Sequence, residues 1–142
     1  MTYQELRALD RWISENVPGL PQPAADWVVL NKISEGIRMV FTDKDQADHW
    51  LATQKREYPV EFANCEVHKL TLWRPYSSRR ECAFELLEKC CEKHCVMTWR
   101  DVHTQKWHAN LTMGGPALGQ ADNLPLAICL FAKELFSQKG LK

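Results

Sequence analysis

The segment Cys90-Cys91-Glu92-Lys93-His94-Cys95 sets thiols and an imidazole at spacings that suit a metal. On a helix, Cys91 and Cys95 are i,i+4 neighbours, as are Cys90 and His94, so either pair could offer zinc two ligands. The other two would have to come from Cys65, His68, Cys82 or His103, and no Cys-x-x-Cys knuckle is present. Cys90 and Cys91 also continue the apolar stripe of Leu86 and Leu87, and free cysteine is commonly a small buried hydrophobe. Packing is the preferred reading, and no metal or cofactor is expected. A cysteine nucleophile needs a thiolate and a positioned base. No nucleophile motif surrounds any cysteine here, so no catalytic residue is assigned. The acidic groups Asp43/Asp45/Asp48 and Glu85/Glu88/Glu92 suit helix starts and solvated faces. Gly114-Gly115 lacks the Lys-Ser/Thr of a phosphate cradle.

A second group mixes cations and aromatic rings. Trp73-Arg74-Pro75-Tyr76 and Arg79-Arg80 bracket an expected helix N-terminus, which offers backbone N–H groups and a positive dipole to an anion. Arginine holds phosphate bidentately, and Trp or Tyr stacks on a base. Arg74, Arg79 and Arg80 are thus candidate phosphate ligands, with Trp73, Tyr76 or Trp99 as stacking partners. Arg100, His108 and Asn110 join them from the polar face of a nearby hairpin. The bland reading is a solvated surface with its tryptophans turned inward.

These residues need elements to position them. Thr2 and Glu5 form a capping box for a first helix carrying Leu6, Leu9 and Ile13, which stops before Pro18. Strands are expected over 27–33 and from Ile37 to Thr42, joined by the Glu35-Gly36 turn. Thr42 caps a helix burying Ala47, Trp50 and Leu51. A long strand covers 62–73. Cys65 and Val67 lie on one face and Leu70 and Leu72 on the other, which predicts a bulge near His68-Lys69. Ser78 and Glu81 form a second capping box for a helix over 79–94. Strands over 96–102 and 106–113 follow, with Trp107, Ala109, Leu111 and Met113 facing the core and His108, Asn110 and Thr112 facing away. A glycine-rich loop covers 114–120. The last helix is capped by Asp122 or Asn123, carries Pro125 in its first turn and ends near Gly140.

The expected fold class is therefore α+β, an antiparallel sheet covered by helices in the order α-β-β-α-β-α-β-β-α. One compact unit over residues 1–142 is preferred, with two possible halves, 1–75 and 76–142. The last helix is apolar nearly all round between Leu124 and Phe136. It is either central or an interface between copies, and a homo-oligomer is expected through it.

The 142 residues carry 18 basic and 18 acidic side chains. That balance argues against general nucleic-acid binding and against an anionic membrane surface. No apolar run approaches the ~20 residues of a membrane span, and Met1 to Arg7 has no apolar leader core. A cytoplasmic location with six reduced cysteines is expected.

From Tyr76-Ser77-Ser78 to Leu135 the chain resembles the phage ABA-sandwich family and related small tailed-phage and prophage accessory proteins. The shared features are the Tyr-Ser-Ser opening of a helix, a strand pair bearing Trp99 and Trp107, and Ala121-Asp122-Asn123-Leu124-Pro125-Leu126-Ala127-Ile128-Cys129. The resemblance implies the fold of the C-terminal half and a setting in the host cytoplasm. It carries over no site residues. Residues 1–75 would be an added strand-helix-strand module. The expectation is a non-enzymatic accessory protein that antagonises host defence, as an oligomeric sponge for a small anionic, nucleotide-derived immune signal. The alternatives are a protein-protein inhibitor of a host defence enzyme, or a Cys/metal-dependent hydrolase using Cys91 or His94.

Overall fold

Thr2 does start the first helix. Its hydroxyl accepts from the Glu5 N–H at 3.2 Å, and the Glu5 carboxylate accepts from the Thr2 N–H at 2.7 Å. Helix α1 then runs Tyr3–Asn16 and ends at Val17, one residue before Pro18. The structure is a computed structural model that describes residues 1–112 and 118–137. Met113, residues 114–117 of the expected loop and the expected helix end at Gly140 lie outside the described residues.

The fold class is α+β. After α1 come β1 (Ala24–Asn31), β2 (Ile37–Phe41), α2 (Lys44–Glu57), β3 (Cys65–Leu72), α3 (Arg80–Cys91), β4 (Val96–Arg100), β5 (Trp107–Leu111), β6 (Leu118–Ala121) and α4 (Leu124–Ser137). The order follows the expected one, with β6 added where a loop was predicted. The chain divides into two compact units, residues 1–22 with 73–142, and residues 23–72. This differs from a division at residue 75, because α1 belongs with the C-terminal segment.

The unit of residues 23–72 is an antiparallel sheet of order β2-β1-β3 with α2 packed on it. Val29, Leu51, Phe62 and Cys65 form its core, flanked by Phe41, Trp50 and Val67. The Trp50 ring sits 5.8 Å from Phe41 and 5.7 Å, edge-on, from Phe62. Asp43, not Thr42, caps α2, accepting from the Asp45 N–H at 2.9 Å. The predicted bulge at His68-Lys69 is absent. The β1–β3 register runs unbroken from Ala24↔Leu72 to Asn31↔Cys65. Leu70 and Leu72 are simply exposed on the opposite face from Cys65. The one irregularity falls between Val29 and Leu30, in the pairing with β2.

The other unit is an antiparallel sheet of order β4-β5-β6 with α1, α3 and α4. Helix α4 is the common partner of β5, β6, α3 and α1. Ala127, Ile128, Cys129, Phe131, Ala132 and Leu135 are all fully buried within the chain. Each large apolar side chain so buried contributes about 1.5–3 kcal/mol. The apolar character of α4 is thus largely accounted for within one copy of the chain, while a homo-oligomer through α4 stays an expectation. Gly119 of β6 lets the strand backbone meet α4. A Cβ there would lie 2.1 Å from the Ala127 carbonyl oxygen and 2.6 Å from the Phe131 nitrogen. Among the described residues, no helix is long and apolar enough to cross a membrane.

Candidate functional site

The β4–β5 register divides the predicted hairpin residues between two faces. Trp99 pairs with His108 and Met97 with Asn110, while Arg100 pairs with Trp107 and Thr98 with Ala109. Side chains alternate along a strand. Arg100 and Trp107 therefore share the face of buried Ala109, and Trp99, His108 and Asn110 share the other.

On the Arg100–Trp107 side, a cleft of about 750 Å³ opens beside the starts of two helices. Ser77, Ser78 and Arg80 line it from the α3 end, and Asn123, Leu124 and Pro125 from the α4 end. Leu6 of α1 adds an apolar wall. That volume lies within the ordinary range for small-molecule sites, about 300–1,000 Å³.

The two helix starts differ. Asn123 caps α4, its Oδ1 accepting from the Leu126 N–H at 2.9 Å. Helix α3 has no side-chain cap. Its N-cap position is Arg79, and the predicted Ser78–Glu81 capping box does not form, because the helix starts at Arg80 and Ser78 lies in the preceding turn. The first-turn N–H groups of α3 therefore have no side-chain acceptor, and Glu81 sets a carboxylate in the same turn.

Charge in the cleft is positive. Arg80 is exposed, and Arg100 spends one donor on Gln105 Oε1 at 2.8 Å. The single acid of the lining, Asp122, is paired with Lys106, whose ammonium holds the carboxyl below its usual range. Trp107 is half-buried and supplies a flat wall. The Arg100–Trp107 end is shaped by a tight turn in which Asp101 accepts from the His103 and Thr104 N–H groups. Those two bonds lower the Asp101 carboxyl.

Of the predicted site residues, the structure brings Arg80 and Arg100 to the cleft and leaves the others elsewhere. Tyr76 is fully buried among the core side chains, and burial pushes its phenol up, so it offers no face for stacking. Arg74 is committed to Glu85, Nη2 to Oε2 at 2.6 Å. Trp73 is half-buried with the Arg11 guanidinium 5.6 Å from its ring centroid. Arg79 is exposed but does not line the cleft. Trp99 stacks on His108 at 4.8 Å and 7° on the opposite face, with Asn110 beyond them. Sequence reasoning missed Trp107 and Ser77 as lining residues. The signal for Trp107 lies in its register with Arg100, which sets a residue expected to face the core at the cleft wall.

The cysteine segment is split by its elements. Cys90 is fully buried with its thiol pushed up to about 12, while Cys91 and Cys95 are exposed. Burial and the neighbouring Cys95 also push the Cys91 thiol up, which works against a thiolate nucleophile. Among the described residues, no group of three His, Cys, Asp or Glu gathers as metal ligands would.

No protein family, curated protein or solved structure matches this chain.

Proposed function

We propose that this protein binds and holds a small anionic ligand bearing a planar ring, of the nucleotide class, in the Arg80–Arg100–Trp107 cleft. The observation that supports this is the meeting of two arginines, an uncapped helix start and a tryptophan face around one cavity of about 750 Å³. Guanidinium groups and free N–H donors suit phosphate, and an indole face suits a base. With no catalytic residue assigned, the role is sequestration and not turnover. The likeness to phage accessory proteins gives that role a setting, the withdrawal of a nucleotide-derived immune signal in a host cell.

The test is calorimetric titration with AMP, ATP and a cyclic dinucleotide, followed by chromatography of the ligand after release. Binding that Arg100→Ala and Trp107→Ala each weaken, with the ligand recovered intact, supports the reading. Absence of binding, or recovery of a product, overturns it.

A second reading is inhibition of a host defence enzyme by direct contact. It draws on the uncovered face of the β4-β5-β6 sheet, where Met97, Trp99 and Leu118 are exposed by 45%, 37% and 52%.

A further inference from the structure

The far end of α3 carries two thiols that the ligand cleft does not use. Cys91 is the last residue of α3, and Cys95 stands just before β4. Both are exposed, whereas Cys65, Cys82, Cys90 and Cys129 are buried. Cysteine is among the most often buried residues, so two exposed thiols at one helix end are not accounted for by packing. Four residues along a helix bring the chain back to nearly the same side after a rise of about 6 Å. The backbone keeps that course past the helix end. Glu92 holds right-handed helical dihedrals, φ −61° and ψ −31°, and a turn and bend follow over 92–94. The start of β4 thereby comes against the helix end, where the Val96 N–H donates to the Cys91 sulfur. That N–H belongs to the peptide unit joining Cys95 to Val96, so the Cys91 sulfur lies against the backbone of Cys95. Thr112 fixes the same backbone from the neighbouring strand, its N–H donating to the Cys95 carbonyl at 3.0 Å. A disulfide needs Cα atoms about 4.4–6.8 Å apart, a span that a four-residue helical step meets.

We infer that Cys91 and Cys95 form a reversible dithiol–disulfide site whose co-substrate is a low-molecular-weight disulfide of the glutathione class. The thiolate of one cysteine attacks a sulfur of the small disulfide and expels one small thiolate, leaving a mixed disulfide. The thiolate of the other cysteine attacks the protein sulfur of that mixed disulfide and expels the second small thiolate. Two protein thiols are oxidised to one disulfide, and one small disulfide is reduced to two small thiols. The two cysteine protons pass through solvent to the two expelled thiolates. The reverse exchange, with excess small thiol, restores the dithiol. Among the described residues no third His, Cys, Asp or Glu gathers with the pair, so redox exchange suits it better than a four-coordinate metal. The site stands apart from the ligand cleft, and it holds whether or not a nucleotide binds there.

The experiment incubates the whole protein with glutathione disulfide and reads intact mass, followed by peptide mapping without reduction. The wild-type protein should become lighter by two hydrogens, with the link mapped to Cys91 and Cys95. Its two fast maleimide labels should vanish together and return after dithiothreitol. Cys91→Ser and Cys95→Ser each remove one partner at an exposed position, so each variant should stop as a stable adduct heavier by one glutathione. A wild-type protein that stops as a glutathione adduct overturns the pairing, because the second thiol does not reach the first. So do two thiols that stay free, a link mapped to Cys90, and a covalent dimer of two copies.

Discussion

Asp10 and Ser77 are joined across 67 residues by a buried bond, the Ser77 N–H donating to Asp10 Oδ1 at 2.8 Å. The bond ties the middle of α1 to the turn that precedes α3. It therefore sets where the wall of the cleft stands relative to the helix that packs behind it. Asp10 is fully buried, with Arg7 as its only charged partner among the described residues.

Burial raises the Asp10 carboxyl above its ordinary value, outweighing the downward pull of Ser77 and Arg7. The folded chain then holds this proton more tightly than the unfolded chain does. Its contribution to stability is complete at low pH and is lost as pH rises from the ordinary aspartate range through the raised folded value. Asp10→Asn keeps an acceptor for the Ser77 N–H and removes the titration. Asp10→Ala strands a buried donor, at a cost of about 1–3 kcal/mol. Urea unfolding across acid to neutral pH should show a flatter profile for Asp10→Asn than for wild type. At pH 7, Asp10→Ala should be the less stable of the two variants. Equal losses would show that the Ser77 bond does not hold the turn.

Trp107 and Trp99 are two residues of one hairpin on opposite faces, and they should behave oppositely. Trp107→Ala should weaken nucleotide binding by about tenfold or more, in keeping with about 1–3 kcal/mol for a base stacked on an aromatic ring. Trp99→Ala removes a stack on His108 outside the cleft and should leave the affinity unchanged. Arg74→Ala should also leave it unchanged, because Arg74 serves Glu85. The check is parallel calorimetry of the three variants. A loss with Trp99→Ala would move the site to the open sheet face.

How much of this was legible follows the range of the interactions. The Thr2–Glu5 box and the hairpin alternation are local, and both stand as the residues suggest. The second box, Ser78 with Glu81, has the same local signature yet does not form. The Ser77 tie to Asp10 belongs to a residue far away in the chain, and no local pattern announces it. Strand β6 was missed because Leu118–Ala121 is short and carries a glycine, which reads as loop. Only the backbone of α4 passing against Gly119 explains why glycine stands there. Arg80, Arg100 and Trp107 meet because two helix starts and a hairpin end converge, which spacing along the chain does not encode.

The cysteines should divide sharply under a thiol reagent. Cys65, Cys82, Cys90 and Cys129 are buried, and Cys91 and Cys95 are exposed. Burial pushes the Cys90 and Cys129 thiols far up, so the folded chain holds almost no thiolate at either position. Maleimide labelling of the native protein, read by mass spectrometry, should add two labels quickly, both on the peptide holding Cys91 and Cys95. The rest should react only on unfolding. Fast labelling of Cys129 would mean that α4 is not seated in the core.

Gly119→Ala tests the seat of α4 most directly. The new methyl group would fall within 2.1 Å of the Ala127 carbonyl oxygen and 2.6 Å of the Phe131 nitrogen, both backbone atoms that no rotamer change can move aside. Either β6 leaves the helix or α4 shifts and opens the packing around Phe131. Overpacking of well-filled sites costs about 1–3 kcal/mol and sometimes more, and a clash with backbone belongs at the upper end. Guanidinium unfolding should show the unfolding free energy falling by that amount, and the midpoint falling with it. Because Asn123 at the start of α4 lines the cleft, nucleotide affinity should fall with it. A variant with unchanged stability would show that β6 does not lie against α4 in solution.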